Sequence, residues 1–238
     1  MYDQLKQQVY DANLALVRSG LVVLTWGNAS AADRRQGVMA IKPSGVSYDT
    51  LTPSDIVVLS LKTGEVVDGK ARPSSDTPTH LHLYQQFDAI NGIVHTHSTY
   101  GTIFAQAQRA IPCLGTTHAD HFFGEIPVTR QLTRQEVDVD YELNAGKVIV
   151  EHFRNNHLDP LNIPGILIAS HAPFAWGPTP AYAVENAIVL ELTAQMALAS
   201  MSLAPNLQPI PQFLLDKHFL RKHGPGAYYG QPATKETR

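Results

Sequence analysis

The chain has 238 residues, 44% hydrophobic and 16% charged, enough apolar material for one large core or two small ones and unlike a disordered chain. Its 18 basic and 21 acidic side chains leave a formal net charge of −3, which excludes general nucleic-acid binding while leaving room for a local phosphate site. A single cysteine, Cys113, excludes intrachain disulfides and cysteine-based zinc motifs, and the 11 histidines turn attention to metal or acid–base chemistry.

The opening segment MYDQLKQQVYDANLALVRSG carries acids and lacks a signal-type apolar core. No apolar run approaches the ~20 residues needed to span a bilayer, so the expectation is a soluble cytoplasmic protein without membrane contact. Leu5, Val9, Ala12 and Leu16 recur at helical spacing and predict an amphipathic helix over residues 4–19, stopped by Gly20. Short strands are expected at residues 21–25, at Val38–Ile41 and at residues 56–61, with residues 62–64 turning into a strand at 65–67. The stretch ARPSSDTPTHLHLYQQF reads as a loop entering a helix, capped by Ser75 or Asp76, with Pro78 in its first turn.

Residues 92–97 are strand-like and residues 99–108 helical in pattern; residues 133–136 fit a capping box, and a helix is expected over 140–155. Residues 165–171 read as a buried strand. A long apolar helix follows from residue 180 to about 203, then a last helix over residues 211–222 and a Gly-rich GPGAYYG. There is no repeat and no regular βαβ alternation, which points to one α/β or α+β domain with a largely antiparallel central sheet covered by helices.

The strongest local signal is His95-Thr96-His97. Side chains alternate across a strand, so two imidazoles two residues apart share a face and can chelate one cation; the same pattern also suits a polar strand edge. A second apolar run, 166–170, ends in His171. Three histidines at the ends of two strands would leave open positions on an ion, as catalysis requires. Asp76 is a candidate oxygen ligand or base, with helix capping as its competing role. His80, His82, His152 and His157 read as surface or helix-face residues, and Cys113 as a small buried side chain. Three turns, around Gly27-Asn28, Lys42–Gly45 and Ser74-Ser75-Asp76, offer backbone amides and small hydroxyls to an anion, to which Lys42 could add charge. There is no Walker loop and no dinucleotide fingerprint, so no nucleotide cofactor is indicated.

Seven motifs in order, LTWGNAS, IKPSGV, PSSDTPTH, GIVHTHS, GTTHADHF, SHAPFAWG and LRKHGPGAYYGQ, resemble the bacterial L-ribulose-5-phosphate 4-epimerase family of the class II aldolase superfamily. The resemblance runs from residue 1 to about residue 231 and implies an α/β, single-domain three-layer sandwich around a mostly antiparallel sheet, with residues 232–238 a disordered polar tail. It implies that His95, His97, His171 and Asp76 hold a divalent ion, Zn²⁺ by ligand type with Mn²⁺ or another ion as the alternative. It implies that Gly27, Asn28, Ser44, Gly45, Ser74 and Ser75, with Lys42 beside them, bind the substrate and chiefly its phosphate. Asp120 and Tyr229 match the two acid/base residues, and His218 lies in the segment that completes the site. In the family that segment, 211–231, comes from the neighbouring subunit of a four-fold ring, so a homotetramer with inter-subunit sites is expected. One departure is His121, where the resemblance implies an aromatic residue.

The implied reaction interconverts L-ribulose 5-phosphate and D-xylulose 5-phosphate, in arabinose catabolism or a related pentose route. Carbon 4 has no acidic proton, because the ketone is two bonds away. Inversion therefore calls for retro-aldol cleavage between carbons 3 and 4, rotation of the aldehyde and re-addition. The alternatives are a sugar-phosphate aldolase that releases its aldehyde, a non-catalytic module on the same fold, and a zinc hydrolase. The related aldolases carry a glutamate in place of Asp76, and no His-Glu-x-x-His helix motif is present.

Overall fold

A computed structural model describes residues 1–229 of the chain; Gly230, Gln231 and the expected polar tail at 232–238 lie outside the described residues. The helices are α1 (Asp3–Arg18), α2 (Thr77–Gln86), α3 (Thr99–Gln106), α4 (Thr116–Ala119), α5 (Arg134–Asp138), α6 (Tyr141–Asn155), α7 (Pro180–Leu203) and α8 (Gln212–His223). The strands are β1 (Asn28–Asp33), β2 (Val38–Ile41), β3 (Val57–Ser60), β4 (Val66–Asp68), β5 (Gly92–His95), β6 (Gly165–Leu167) and β7 (Pro173–Gly177). They form one sheet in the order β4-β3-β2-β1-β5-β7-β6 with every neighbouring pair antiparallel.

Sequence pattern accounts for most elements. α1 buries Leu5, Val9, Ala12 and Leu16 along one stripe and ends before Gly20, whose φ is +71°. At α5, the Thr133 hydroxyl accepts from Glu136 N–H while the Glu136 carboxylate accepts from Thr133 N–H, the expected reciprocal cap. Thr179 caps α7, and Pro180 occupies its first turn.

Three expectations fail for identifiable reasons. Residues 21–25 form turns, and the strand there is β1, NASAAD, displaced toward the C-terminus. Its small residues are poor strand formers in isolation. In the fold Ala29 and Ala31 let α1 and α7 lie close to the sheet. The apolar run 165–171 pairs only through Leu167; Ser170, at φ +61°, turns the chain so that β7 can return beside β5. His80 is fully buried: it lies on the sheet-facing side of α2, where its Nδ1 meets the Ser30 hydroxyl at 2.7 Å. Cys113 is free and buried, as expected.

The two sheet faces carry separate cores. Met39, Ile41, Val57, Leu59, Ile93, Phe174 and Trp176 point toward α2, α3 and α6, whereas Ala29, Ala31, Val58, Val94 and Ala175 point toward α1 and α7. By length and a mean hydropathy of 1.2, α7 could cross a membrane, against the expectation of no such segment. Its apolar character has a packing role: Ala183, Val184 and Ala187 cover the sheet, and Leu190, Ala194 and Ala197 extend the other core. Gly92 is required where α7 begins, since a Cβ there would come within 2.4 Å of the Pro180 backbone.

Candidate active site

Register places the histidines. Asn28 in β1 pairs with His95 in β5, and His95 pairs with Phe174 in β7. The C-terminal end of β5 therefore lies beside the starts of β1 and β7, and the segments just outside these strands, carrying Gly27, His97 and His171, converge there. His97 follows the last residue of β5 by two, and His171 precedes β7 by two. His95, His97 and His171 ring centroids are 4.9, 4.9 and 5.0 Å apart pairwise. One nitrogen from each falls within 4.8 Å of the others.

The ring orientations suit ligation. His95 Nδ1 lies 3.0 Å from the Pro173 carbonyl, so that nitrogen carries the proton and Nε2 is left with a free lone pair. That Nε2 lies 3.2 Å from His97 Nε2. His171 Nδ1 lies 3.3 Å from the Tyr141 hydroxyl, and Phe174 stacks on His95 at 4.2 Å. Burial pushes His95 down to about 3, with the neighbouring His97 adding to the effect. His171 is lowered to about 4 by burial and by the other two histidines, and burial lowers His97 despite the opposing charge of Asp76. At neutral pH all three are neutral imidazoles, the form that coordinates a cation. Three such donors with one nitrogen each within 4.8 Å of the others fit a divalent ion, and exposed His97 leaves one side open.

Asp76 is not part of this trio. Its carboxylate Oδ2 accepts from Asn28 Nδ2 at 2.6 Å, and it makes no capping bond to α2. Of the two roles read from the sequence, the cap is absent; the carboxylate is bonded through Oδ2 to Asn28 and lies close enough to His97 and His171 to act on them through its charge. Tyr141 and the Ser30–His80–Tyr84 chain had no signal in the sequence, because their partners lie in remote segments.

The three turns expected to offer groups to an anion meet at the same end of the sheet. Ser44 N–H donates to the Arg72 carbonyl and Ser74 N–H to the Lys42 carbonyl, so the segments run side by side. Asn28 Nδ2 also donates to Ser74 Oγ at 3.1 Å, and its Oδ1 is buried without a hydrogen-bond partner. Gly27 has φ +97°, and a Cβ there would lie 2.7 Å from the His95 carbonyl. Gly45, at φ +69°, completes the second turn beside Ser44, and Ser75 precedes Asp76 in the third. Lys42 is 2% exposed and its ammonium donates to the Val46 and Pro43 carbonyls over the Tyr48 ring. Burial lowers its pKa. Its charge holds the 43–46 turn rather than facing outward.

A second cluster forms where α8 packs on α4. Asp120, just after α4, takes three bonds from the Arg221 fork: Nη2 donates to Oδ2 at 2.7 Å and to Oδ1 at 2.9 Å, and Nε to Oδ1 at 3.1 Å. His218 Nδ1 lies 3.0 Å from the same Oδ1, and Lys222 Nζ 3.7 Å from Oδ2. Burial alone would raise the Asp120 carboxyl, but the bonds from Arg221 and His218 and the nearby cations outweigh it and hold it below the usual carboxylate value. Tyr229 is exposed, with its ring 4.8 Å from both the Arg221 guanidinium carbon and Lys222 Nζ. It lines a cavity of about 590 Å³ together with His121, Tyr182, Glu185 and Lys222. Among the described residues no hydrogen bond, ion pair or ring contact joins this cluster to the histidine trio.

Residues 7–198 match the family described as the Class II Aldolase and Adducin N-terminal domain. A relative from Salmonella paratyphi A, named L-ribulose-5-phosphate 4-epimerase UlaF, is 56% identical over 228 residues, covering 96% of this chain and 99% of its own. A relative of the same name from Salmonella typhi matches equally. Among solved structures, an L-fuculose 1-phosphate aldolase superposes with a TM-score of 0.76 at 27% identity, covering 90% of this chain and 94% of that one. The l-fuculose-1-phosphate aldolase from Thermus Thermophilus shares the fold with a TM-score of 0.67 at 21% identity, over 87% of this chain and 100% of its own.

Proposed function

The chain belongs to the class II aldolase and adducin family, and from that premise we propose that it is an L-ribulose-5-phosphate 4-epimerase. It interconverts L-ribulose 5-phosphate and D-xylulose 5-phosphate by breaking and remaking the carbon 3–carbon 4 bond. The observation that carries the reading is the trio of neutral imidazoles converging at the sheet end, in a chain alike in sequence to relatives of that name along nearly its whole length.

His95, His97 and His171, with Asp76 as the oxygen ligand, would hold a divalent ion, with Zn²⁺ matching the imidazole set and Mn²⁺ or another divalent ion as the alternative. When bound there, the ion supplies Lewis-acid stabilisation for negative charge that develops on the ketose fragment. Gly27, Asn28, Ser44, Gly45, Ser74 and Ser75 take the substrate and its phosphate, the phosphate tethering the aldehyde fragment while it turns. The unpartnered Asn28 Oδ1 offers an acceptor to a substrate hydroxyl. Asp120 and Tyr229 exchange protons at the carbon-4 oxygen on opposite faces, one removing the hydroxyl proton before cleavage and the other returning one after re-addition. His218 supports Asp120 by its 3.0 Å contact.

Among the described residues the two clusters share no contact, which supports the reading that the 211–231 segment, with the Asp120 it holds, completes the site of a neighbouring subunit in a homotetramer. Residues 1–231 thus form one catalytic domain with a C-terminal arm. The cytoplasm, where a charged pentulose phosphate is retained, is its place, and pentose catabolism, arabinose included, its context.

The decisive assay presents L-ribulose 5-phosphate and detects D-xylulose 5-phosphate, with and without a chelator. Metal-dependent product without net glycolaldehyde phosphate supports the epimerase. Stoichiometric glycolaldehyde phosphate would assign an aldolase instead, and full activity after metal removal would refute the role of the trio. In heavy water, carbon 4 remains unlabelled if the bond is cleaved; deuterium at that carbon would mark proton abstraction.

A further inference from the structure

We propose that Arg221 is the positioning residue of the acid/base arm, holding Asp120 and Tyr229 in fixed relation through one guanidinium. The inference rests on the assignment of Asp120 and Tyr229 to proton transfer made above.

Arg221 contacts these two residues in three different ways. Its fork makes three bonds of 2.7 to 3.1 Å to the Asp120 carboxylate, which fixes the plane of that group as a single-point contact cannot. Its guanidinium carbon lies 4.8 Å from the Tyr229 ring. Its backbone carbonyl accepts from both Tyr228 N–H at 3.0 Å and Tyr229 N–H at 3.1 Å. Tyr229 lies two residues after the Gly-Pro-Gly-Ala segment at 224–227 and is 60% exposed, so among the described residues the contacts from Arg221 and Lys222 chiefly set its position. Lys222 also approaches both groups, but as a point charge 3.7 Å from Asp120 it imposes no orientation. The Asp120 carboxylate is 14% exposed and Arg221 23%, so water competes weakly for the fork.

The reaction explains why one cation should touch both groups. The base removes the carbon-4 hydroxyl proton, and the electrons of the carbon 3–carbon 4 bond pass to the ketose fragment as an enediolate. On re-addition those electrons return to the bond, and the acid gives its proton to the carbon-4 oxygen. The negative charge has then moved from one of the pair to the other, since the base ends protonated and the acid deprotonated. A guanidinium in contact with both stabilises the charge at either location.

The test compares full-length, metal-loaded Arg221→Gln and Arg221→Lys with wild type. It reads kcat, KM for L-ribulose 5-phosphate, the pH profile of kcat/KM, metal content and oligomeric mass. Arg221→Gln should lose about 100-fold in kcat with KM within about threefold, in the range expected for misplaced acid–base groups, while metal and mass stay unchanged. The acidic limb of its profile should move to higher pH, because the fork that holds the Asp120 carboxylate ionised is gone, leaving His218, Lys222 and the adjacent His121 beside it, with the Asp120 backbone carbonyl bonded to His223. Arg221→Lys restores the charge without the fork and should recover less than about tenfold. The proposal is overturned if Arg221→Gln keeps wild-type kcat and profile, if Arg221→Lys equals wild type, or if activity falls only together with metal or oligomer. Asp120→Asn and Tyr229→Phe run alongside. If they retain wild-type rates, the underlying assignment fails; if they are inactive while Arg221→Gln is not, only the role of Arg221 fails.

Discussion

At the histidine end of the sheet, backbone ladders position the chemistry. His95 sits in β5 between Asn28 and Phe174, and its ring is fixed by the Pro173 carbonyl. At the Asp120 arm, side-chain charges do that work: a carboxylate after a four-residue helix is held by three groups of α8, about a hundred residues away in sequence. The first region consists of imidazoles kept neutral by burial; the second centres on a carboxylate kept ionised by the groups bonded to it. An ion site needs unprotonated donors in fixed directions, and a sheet provides both. A surface helix such as α8 can instead carry charge at the edge of the fold, as the proposed acid/base arm requires.

Breaking the first region should be the most damaging change. His97→Asn is expected to lower activity more than about 1,000-fold and to remove the ion, while the Asp120 ion pairs persist; metal analysis beside the assay checks this. Retention of metal and rate would remove the trio from the mechanism.

Acid should strain both regions together. Burial lowers His80, beneath β1, to about 3, and His118, on α4, to about 4, the Gly124 carbonyl opposing the second shift. In the unfolded chain these rings titrate near 6.5, so below that pH the unfolded state binds protons that the folded state refuses. Stability is full above pH 6.5 and falls toward pH 4. The loss by pH 5 is on the order of 2 kcal/mol per histidine, read from unfolding midpoints at pH 7.5 and 5.0. A flat profile would contradict the neutral burial of these rings.

Gly27→Ala tests how tightly the ladder constrains the cradle. The left-handed φ and the 2.7 Å approach to the His95 carbonyl predict a loss of about 1–3 kcal/mol and weaker substrate binding, measured by melting temperature and KM. Tyr141→Phe should weaken metal affinity about tenfold with the fold intact, since it removes the partner of His171 Nδ1; a competition titration with a chromophoric chelator reads it. The smallest effect distinguishes the arm. Raising salt to about 0.5 M should cut kcat by less than about threefold and leave metal content unchanged, because only the partly exposed ion pairs are screened.

Legibility in the sequence followed the same division. His95 and His97 stood out through a period of two, and α1, α5 and α7 through apolar spacing and caps. β1 was hidden because NASAAD has no strand preference of its own; only the approach of α1 and α7 makes small residues favourable there. Asp76 before Thr-Pro looked like a cap, yet Asn28 claims its carboxylate from across the sheet. Arg221 stood within a quoted motif without a role, since nothing nearby in the chain indicates that its fork reaches Asp120.

Periodicity and caps by themselves pointed to a largely antiparallel α/β fold and put His95 and His97 on one strand face, because these signals rest on residue type and on spacings of two to four residues, which a linear chain displays directly. The histidine trio as one ion site and the sugar-phosphate chemistry came instead from the family resemblance carried by the order of seven motifs. Tertiary structure alone decided which way Asp76 turns, that Tyr141 backs His171, and that Arg221 links Asp120 to Tyr229. Each of these joins groups brought together only by the closure of long stretches of chain, and such closure is driven by burial of the whole core rather than by any local preference.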